Sequence, residues 1–215
     1  MSIRNRYEKE LNEVFNNLVL MCRKVEIAIE NSVKALVERN IELAQITMKN
    51  DYEINALERD IEQGCLKILL MEHPVAGDFR EVSAALKMIT DLERIGDQAR
   101  DISEITLQFD DEPYIKKLEH IPQMARIVIE MVKDSVASYI NRDLALATSL
   151  DKRDDVVDNL FETVKKELVE LVKKDSNNAD QVILFMMIAK YIERIGDHAV
   201  NIGEWVEYAI TGAHS

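Results

Sequence analysis

Proline and glycine are scarce in this 215-residue chain, at three and six copies. So few breakers leave little material for turns and favour long elements with few connections. Cysteine occurs twice, as Cys22 and Cys65, with no CxxC or paired-ligand spacing. That argues against a disulfide framework and suits a reducing compartment, so the chain is read as cytoplasmic. Positive charge is the minority sign: 27 Lys and Arg stand against 40 Asp and Glu, a formal net charge of -13. The basic residues are scattered along the chain and form no stripe, so nucleic acid is not an expected ligand. No apolar run approaches the roughly 20 residues of a membrane span, and the first eight residues lack an apolar signal core. Direct membrane insertion is therefore not expected, and any membrane association has to come through a partner.

What is present is helical periodicity. Leu11, Phe15, Leu18, Cys22, Val25, Ile29, Ser32 and Leu36 alternate steps of four and three, the spacing of a bundle seam. The pattern halts at Arg39-Asn40, resumes at Ile41 and stops again before Pro74. Asp78 with Glu81 resembles a capping box and predicts a third helix to about Gln108, ahead of Asp110-Asp111-Glu112-Pro113. The second half repeats the plan. A seam of Ile121, Ala125, Val128, Val132, Ser135 and Tyr139 leads to Arg142-Asp143, then to a helix ending near Lys174. A last helix runs from about Ala179 to Thr211, and Gly212 closes it. Arg39-Asn40 matches Arg142-Asp143, and Asp51 matches Asp154, each at an offset of 103, so internal duplication is the economical explanation. The predicted fold is all-α: a tandem repeat of two three-helix bundles, residues 1–110 and 111–215, with six long antiparallel helices.

The strongest repeat is Glu93-Arg94-Ile95-Gly96-Asp97-Gln98-Ala99 against Glu193-Arg194-Ile195-Gly196-Asp197-His198-Ala199. Glycine costs a helix interior about 0.8–1 kcal/mol relative to alanine, so its reuse at Gly96 and Gly196 suggests that a backbone or ligand comes close. On a wheel with Ile89 or Ala189 inward, Glu93 and Glu193 fall at roughly 40° and Asp97 and Asp197 at roughly 80°. Asp101 and Asn201 continue the ridge at roughly 120°. Stacked acids bordering an apolar face need positive compensation. Two sources are open: basic side chains such as Arg94, Arg100 and Arg194, or a bound metal ion. All-oxygen ligation would favour hard ions. Asp51/Asp154 and Asn55/Asp158 could add outer ligands. His198 falls at roughly 180° and reads as a surface residue. His73, His120 and His214 also read as solvent-facing, and the methionines as core filling.

On these residues the chain resembles the PhoU family of cytoplasmic phosphate-signalling and phosphate-transport accessory proteins. The resemblance lies in Asp91-Leu92-Glu93-Arg94-Ile95-Gly96-Asp97 and Tyr191-Ile192-Glu193-Arg194-Ile195-Gly196-Asp197, two copies of an E(D)xxxD motif in the third helix of each half. It implies metal clusters, iron or zinc in some members and magnesium or manganese in others. The implied ligands are Glu93, Asp97, Asp101, Glu193, Asp197 and Asn201. It also implies protein partners: the ATPase of a phosphate ABC transporter and a phosphate-sensing histidine kinase, both restrained when phosphate is plentiful, by a protein expected to be a homodimer. The departures Asp101/Asn201 and Arg100/Val200 put equal metal occupancy of the two halves in doubt, and Arg100 could replace one ion's charge.

Two other classes remain open at this point. A carboxylate-bridged metal enzyme normally draws on Glu-x-x-His motifs, and none occurs in the chain. The sequence also has no Gly-rich phosphate loop, nucleophile elbow or paired His/Cys set, so no catalytic residue is assigned and the chain is read as a non-enzyme. The third reading is a metal-free helical adaptor.

Overall fold

The computed structural model describes residues 3–71, 75–109 and 112–213. Its helices are α1 (Ile3–Glu38), α2 (Ile41–Met71), α3 (Ala76–Thr106), α4 (His120–Asn141), α5 (Leu144–Thr148), α6 (Leu150–Lys174) and α7 (Ala179–Thr211). Together they make six long helical rods, because α5 and α6 are one rod broken at Ser149. No strand occurs among the described residues. The His73-Pro74 break, Asp110-Asp111 and His214 lie outside them.

The two seams bury as their spacing requires. Leu18, Val25, Ile29 and Leu36 of α1 are fully buried, as are Val128 and Val132 of α4. Each seam carries one serine at the matched position, and each satisfies its buried hydroxyl locally: Ser32 donates to the Ile29 carbonyl and Ser135 to the Val132 carbonyl, both at 2.8 Å.

The turns between the first two rods of each half are the same device used twice. Arg39 and Arg142 adopt left-handed backbone, φ 54° and 52°. Asn40 N–H donates to the Ala35 carbonyl and Asp143 N–H to the Ser138 carbonyl, closing each helix with a Schellman pair. The next residue then opens the following helix: the Asn40 side chain accepts from Leu43 N–H at 2.9 Å, and Asp143 from Leu146 N–H at 3.0 Å.

The capping box expected at Asp78 and Glu81 does not form. Helix α3 starts three residues earlier with Val75 as its cap, and Asp78 lies in the first turn. Glu81 instead accepts from Arg142 at 3.0 Å, and its carbonyl accepts from the Tyr139 hydroxyl at 2.6 Å. Both bonds tie α3 to the end of α4. Gln181, its counterpart, receives Ile115 N–H at 3.1 Å and so holds the linker between halves. At the far end Gly212, φ 80°, caps α7 as its sequence position predicts.

The two three-helix bundles share one core. One contiguous apolar cluster runs through both, from Leu18 and Ile61 to Val164 and Phe185. It does so because α1 packs on α4 and α3 packs on α7. Among the described residues, no helix is long and apolar enough to cross a membrane.

Candidate functional site

Each copy of the repeated motif lies midway along a third rod, facing the middle of the second rod of its own half. The glycine explains the approach. A Cβ built on Gly196 would stand 2.5 Å from Asp154 Oδ1, and one on Gly96 would stand 3.0 Å from Ile54 Cδ1 and 3.6 Å from Asp51 Oδ1. What comes close is thus neither backbone nor ligand but a side chain of the neighbouring rod. The matched aspartates Asp51 and Asp154 are inserted beside the motif acids. Both have an Oδ1 buried from water without a hydrogen-bond partner.

In the first half, arginine supplies the compensation. Arg100 stands 3.3 Å from Asp97, 3.2 Å from Asp101 and 3.7 Å from Asp51. Arg94 stands 3.6 Å from Glu93 and 3.3 Å from Asp97. Asn55 also donates to Asp51 at 3.0 Å. Burial pushes the Asp51 carboxyl above its ordinary range, while Arg100 pulls it back. Glu93 is raised by burial and by Asp97, and Arg94 partly offsets this.

The second half lacks that clamp. Val200 stands where the first half has Arg100, and Arg194 makes no ion pair among the described residues. Lys190 donates to both carboxylate oxygens of Glu193, which is buried to 9% exposure. Among the described residues no basic side chain pairs with Asp154. Burial, then the negative charges of Asp158, Asp197, Glu193 and Asp155, push its carboxyl up to about 7.

Asn201 does not join this cluster. Its amide donates to Asp91 of the first half at 3.3 Å, and His198 Nδ1 lies 2.9 Å from the same carboxylate oxygen. His198 is therefore an inter-half contact and not the surface residue that the wheel predicts. The wheel assumed one inward direction, whereas α3 and α7 each bury a second face against the other. At the matching place Tyr191 faces Asp101, and burial and then the Asp101 carboxylate push its hydroxyl above the ordinary range. Asp101 itself is paired with Arg100 at 3.2 Å. His120 likewise is not free in solvent, since its Nδ1 lies 3.3 Å from Glu167.

Among the described residues, no three His, Cys, Asp or Glu side chains already stand in metal-holding geometry. The donor set of the second half nonetheless suits a hard cation: carboxylate oxygens only, one of them buried and orphaned, with an excess of negative charge. The first half has the matching acids Asp51, Glu93 and Asp97 with a guanidinium already among them.

The PhoU domain family model matches residues 18–106 and 121–206. A phosphate-specific transport system accessory protein PhoU homolog of Aquifex aeolicus is 38% identical over 186 residues, 86% of this chain and 84% of that one. The homolog of Clostridium acetobutylicum is 33% identical over 97% of this chain and 96% of its own length. Among solved structures, PhoU from Pseudomonas aeruginosa superposes with a TM-score of 0.91 at 31% identity, covering 96% of this chain and 100% of that one. The phosphate transport system regulatory protein PhoU from Streptococcus pneumoniae gives 0.89 at 25% identity, covering 97% and 99%. With two matched domains and relatives aligned along nearly its whole length, the chain belongs to the PhoU family.

Proposed function

We propose that this chain is an accessory regulator of phosphate transport that works by binding other proteins, with no catalytic turnover of its own. The observation that carries the reading is the duplicated acid face on a two-domain PhoU bundle, aligned end to end with relatives named for that role. Its partners are the ATPase of a phosphate ABC transporter and the histidine kinase that senses phosphate, met from the cytoplasmic side. A homodimer is the expected functional unit.

The same reading gives the acid face a metal. Asp154, Glu193 and Asp197 would hold it in the second half, after Lys190 moves off Glu193. Glu93, Asp97 and Asp101 are the matching acids of the first half, where Arg100 competes. The ion would supply the positive charge that the orphaned Asp154 oxygen lacks. Hard ions such as manganese, magnesium or ferric iron suit these oxygens better than zinc does.

Deleting the gene should leave phosphate-starvation genes, or phosphate uptake, active in phosphate-rich medium. Purified protein should bind the transporter ATPase or the kinase. Unchanged phosphate control in the deletion strain refutes the pathway. Metal-dependent release of phosphate from small esters at an enzyme-like rate, lost on replacing Glu93 and Asp97, refutes the non-enzyme reading. Elemental analysis of protein purified without a chelating tag, beside a Glu93/Asp97/Glu193/Asp197 quadruple alanine variant, tests the metal separately.

A further inference from the structure

The sequence scatters its lysines, but the fold collects four of them. Where the linker between halves meets the start of α4 and the later turns of α6, a cavity of about 600 Å³ is lined by Lys116, Lys117, Lys166, Lys174 and His120. We propose that this cavity binds an oligophosphate anion, inorganic or carried on a nucleoside. It lies apart from the motif acids, and its lining includes neither Asp154, Glu193 nor Asp197.

The charge balance inside the cavity is the first argument. Three acids share it, Glu119, Glu167 and Glu170. Glu167 is occupied by Lys116, with His120 3.3 Å away, and its carboxyl is held below the usual range by them. Glu170 is drawn 2.7 Å from Lys173, which does not line the cavity. Lys117, Lys166 and Lys174 form no ion pair among the described residues, leaving Glu119 as their only uncommitted counter-charge. A net positive pocket results on a chain whose overall charge is -13.

Helix electrostatics alone does not account for this grouping. Lys174 sits in the last turn of α6, where a cation is favoured by the helix dipole whatever the cavity does. Lys116 and Lys117 are on the linker, and Lys166 lies two turns before the end of α6, so neither position has that explanation. Helix α4 begins in the same place, with no side-chain cap at Glu119, and turns its positive end toward the same region.

The ligand class follows from the donors. Ammonium groups on long stems, with no arginine among them, act as point charges that can surround an extended chain of phosphate oxygens; they are poorly suited to one planar carboxylate. The volume is that of an ordinary small-molecule site, larger than a single phosphate requires. Exposed ammonium–phosphate pairs are weak individually, so several charges on one ligand are needed for measurable affinity at physiological salt.

The test is isothermal titration calorimetry of the full chain at 150 mM potassium chloride with EDTA, which keeps any metal at the acid face out of the measurement. The probes are inorganic tripolyphosphate and ATP. Saturable one-site binding is expected, weakened about tenfold or more by the triple variant K117A/K166A/K174A and about threefold by K117A alone. The triple variant K9A/K34A/K49A changes net charge equally but lies outside the cavity and should bind as the unchanged chain does. Similar affinity for both probes assigns recognition to the phosphate chain, whereas tighter ATP binding adds a contact to the nucleoside. No binding of either probe at millimolar concentration overturns the proposal, and so does an equal loss in the two triple variants. Circular dichroism of each variant confirms that the comparison is between folded proteins.

Discussion

The two acid faces descend from one pattern, yet they solve the same electrostatic problem differently. In the first half Arg100 reaches Asp51, Asp97 and Asp101, and Arg94 reaches Glu93 and Asp97. In the second, valine replaces Arg100, Lys190 holds Glu193 alone, and Asp154 is left among like charges with its carboxyl at about 7. The change from Arg100 to Val200 on the third rod is thus a main difference between a closed salt-bridge network and a cluster whose Asp154 stands among like charges. Duplication conserved the frame and allowed the charge to diverge.

The largest effect expected from breaking this contrast is on metal affinity. V200R should place a guanidinium in the second cluster and lower manganese affinity by on the order of 100-fold, about 2.7 kcal/mol. The reciprocal R100V should create a second site. Calorimetric titration with manganese reads both, and unchanged stoichiometry and affinity in both variants would show that Arg100 is not what distinguishes the halves.

Next in size is a packing difference. Gly203 faces the short helix α5 so closely that a Cβ would stand 3.0 Å from the Ala147 carbonyl oxygen and 2.9 Å from Leu150 Cδ1. Backbone cannot yield as a side chain can, so G203A should cost about 2 kcal/mol, or roughly 4–8 °C in melting temperature. The first half carries Ser103 at the matched position, already with a Cβ, and S103A should cost less. Equal losses in the two variants would remove the asymmetry.

A pH effect follows from Asp154. Its carboxyl titrates at about 7 in the folded chain against an ordinary value of 3.8, so the folded state holds its proton more tightly. Stability from this group is present at low pH and is lost as pH rises from about 4 through about 7. D154N cannot ionise. In EDTA it should match the unchanged chain near pH 4, then gain on it until the difference levels at about 1–2 kcal/mol above pH 7, after allowance for solvent screening. Thermal melts across pH check this, and D51N should gain less because Arg100 already favours the Asp51 carboxylate.

The smallest effects separate the two motif glycines. In G196A the new methyl crowds the end of the Asp154 side chain, which can swing outward, and meets Val128 Cγ1 at an ordinary 3.7 Å. The gain in helix propensity, about 1 kcal/mol, should survive and leave stability equal or higher. In G96A it meets buried Ile54, which is 2% exposed, and a net loss of about 1 kcal/mol is expected. Denaturant melts should give opposite signs, and the same sign in both would overturn the packing difference between the halves.

Much of this was readable from particular residues. The seam from Leu11 to Leu36 and its repeat from Ile121 to Tyr139 are contacts within one helix face, which a 3.6-residue period records directly. The turns at Arg39-Asn40 and Arg142-Asp143 are also local, because a left-handed residue followed by a capping side chain needs only its own neighbours. The matched aspartates Asp51 and Asp154 stood out at an offset of 103, though their place beneath Gly96 and Gly196 did not. The break at Ser149 within the fifth rod had no such signal, since Ser149 sits in a stretch that otherwise reads as continuous helix.

The sequence by itself determined six helical rods, their order, their turns and the acid ridge on the third rod of each half, because each depends on residues within a few turns of one another. Only the tertiary structure decided which acids have a cation, since Arg100 acts on Asp51 of another rod and Lys190 on Glu193 alone. It also decided that the halves share one core, through a second buried face on α3 and α7. Polar pairs sit on that face beside the apolar contacts, with Asp91 meeting His198 and Asn201. Hydrophobic periodicity marks apolar faces and is silent about polar ones. For the same reason the lysines of the linker and of α6, far apart along the chain, became one pocket only when the helices packed.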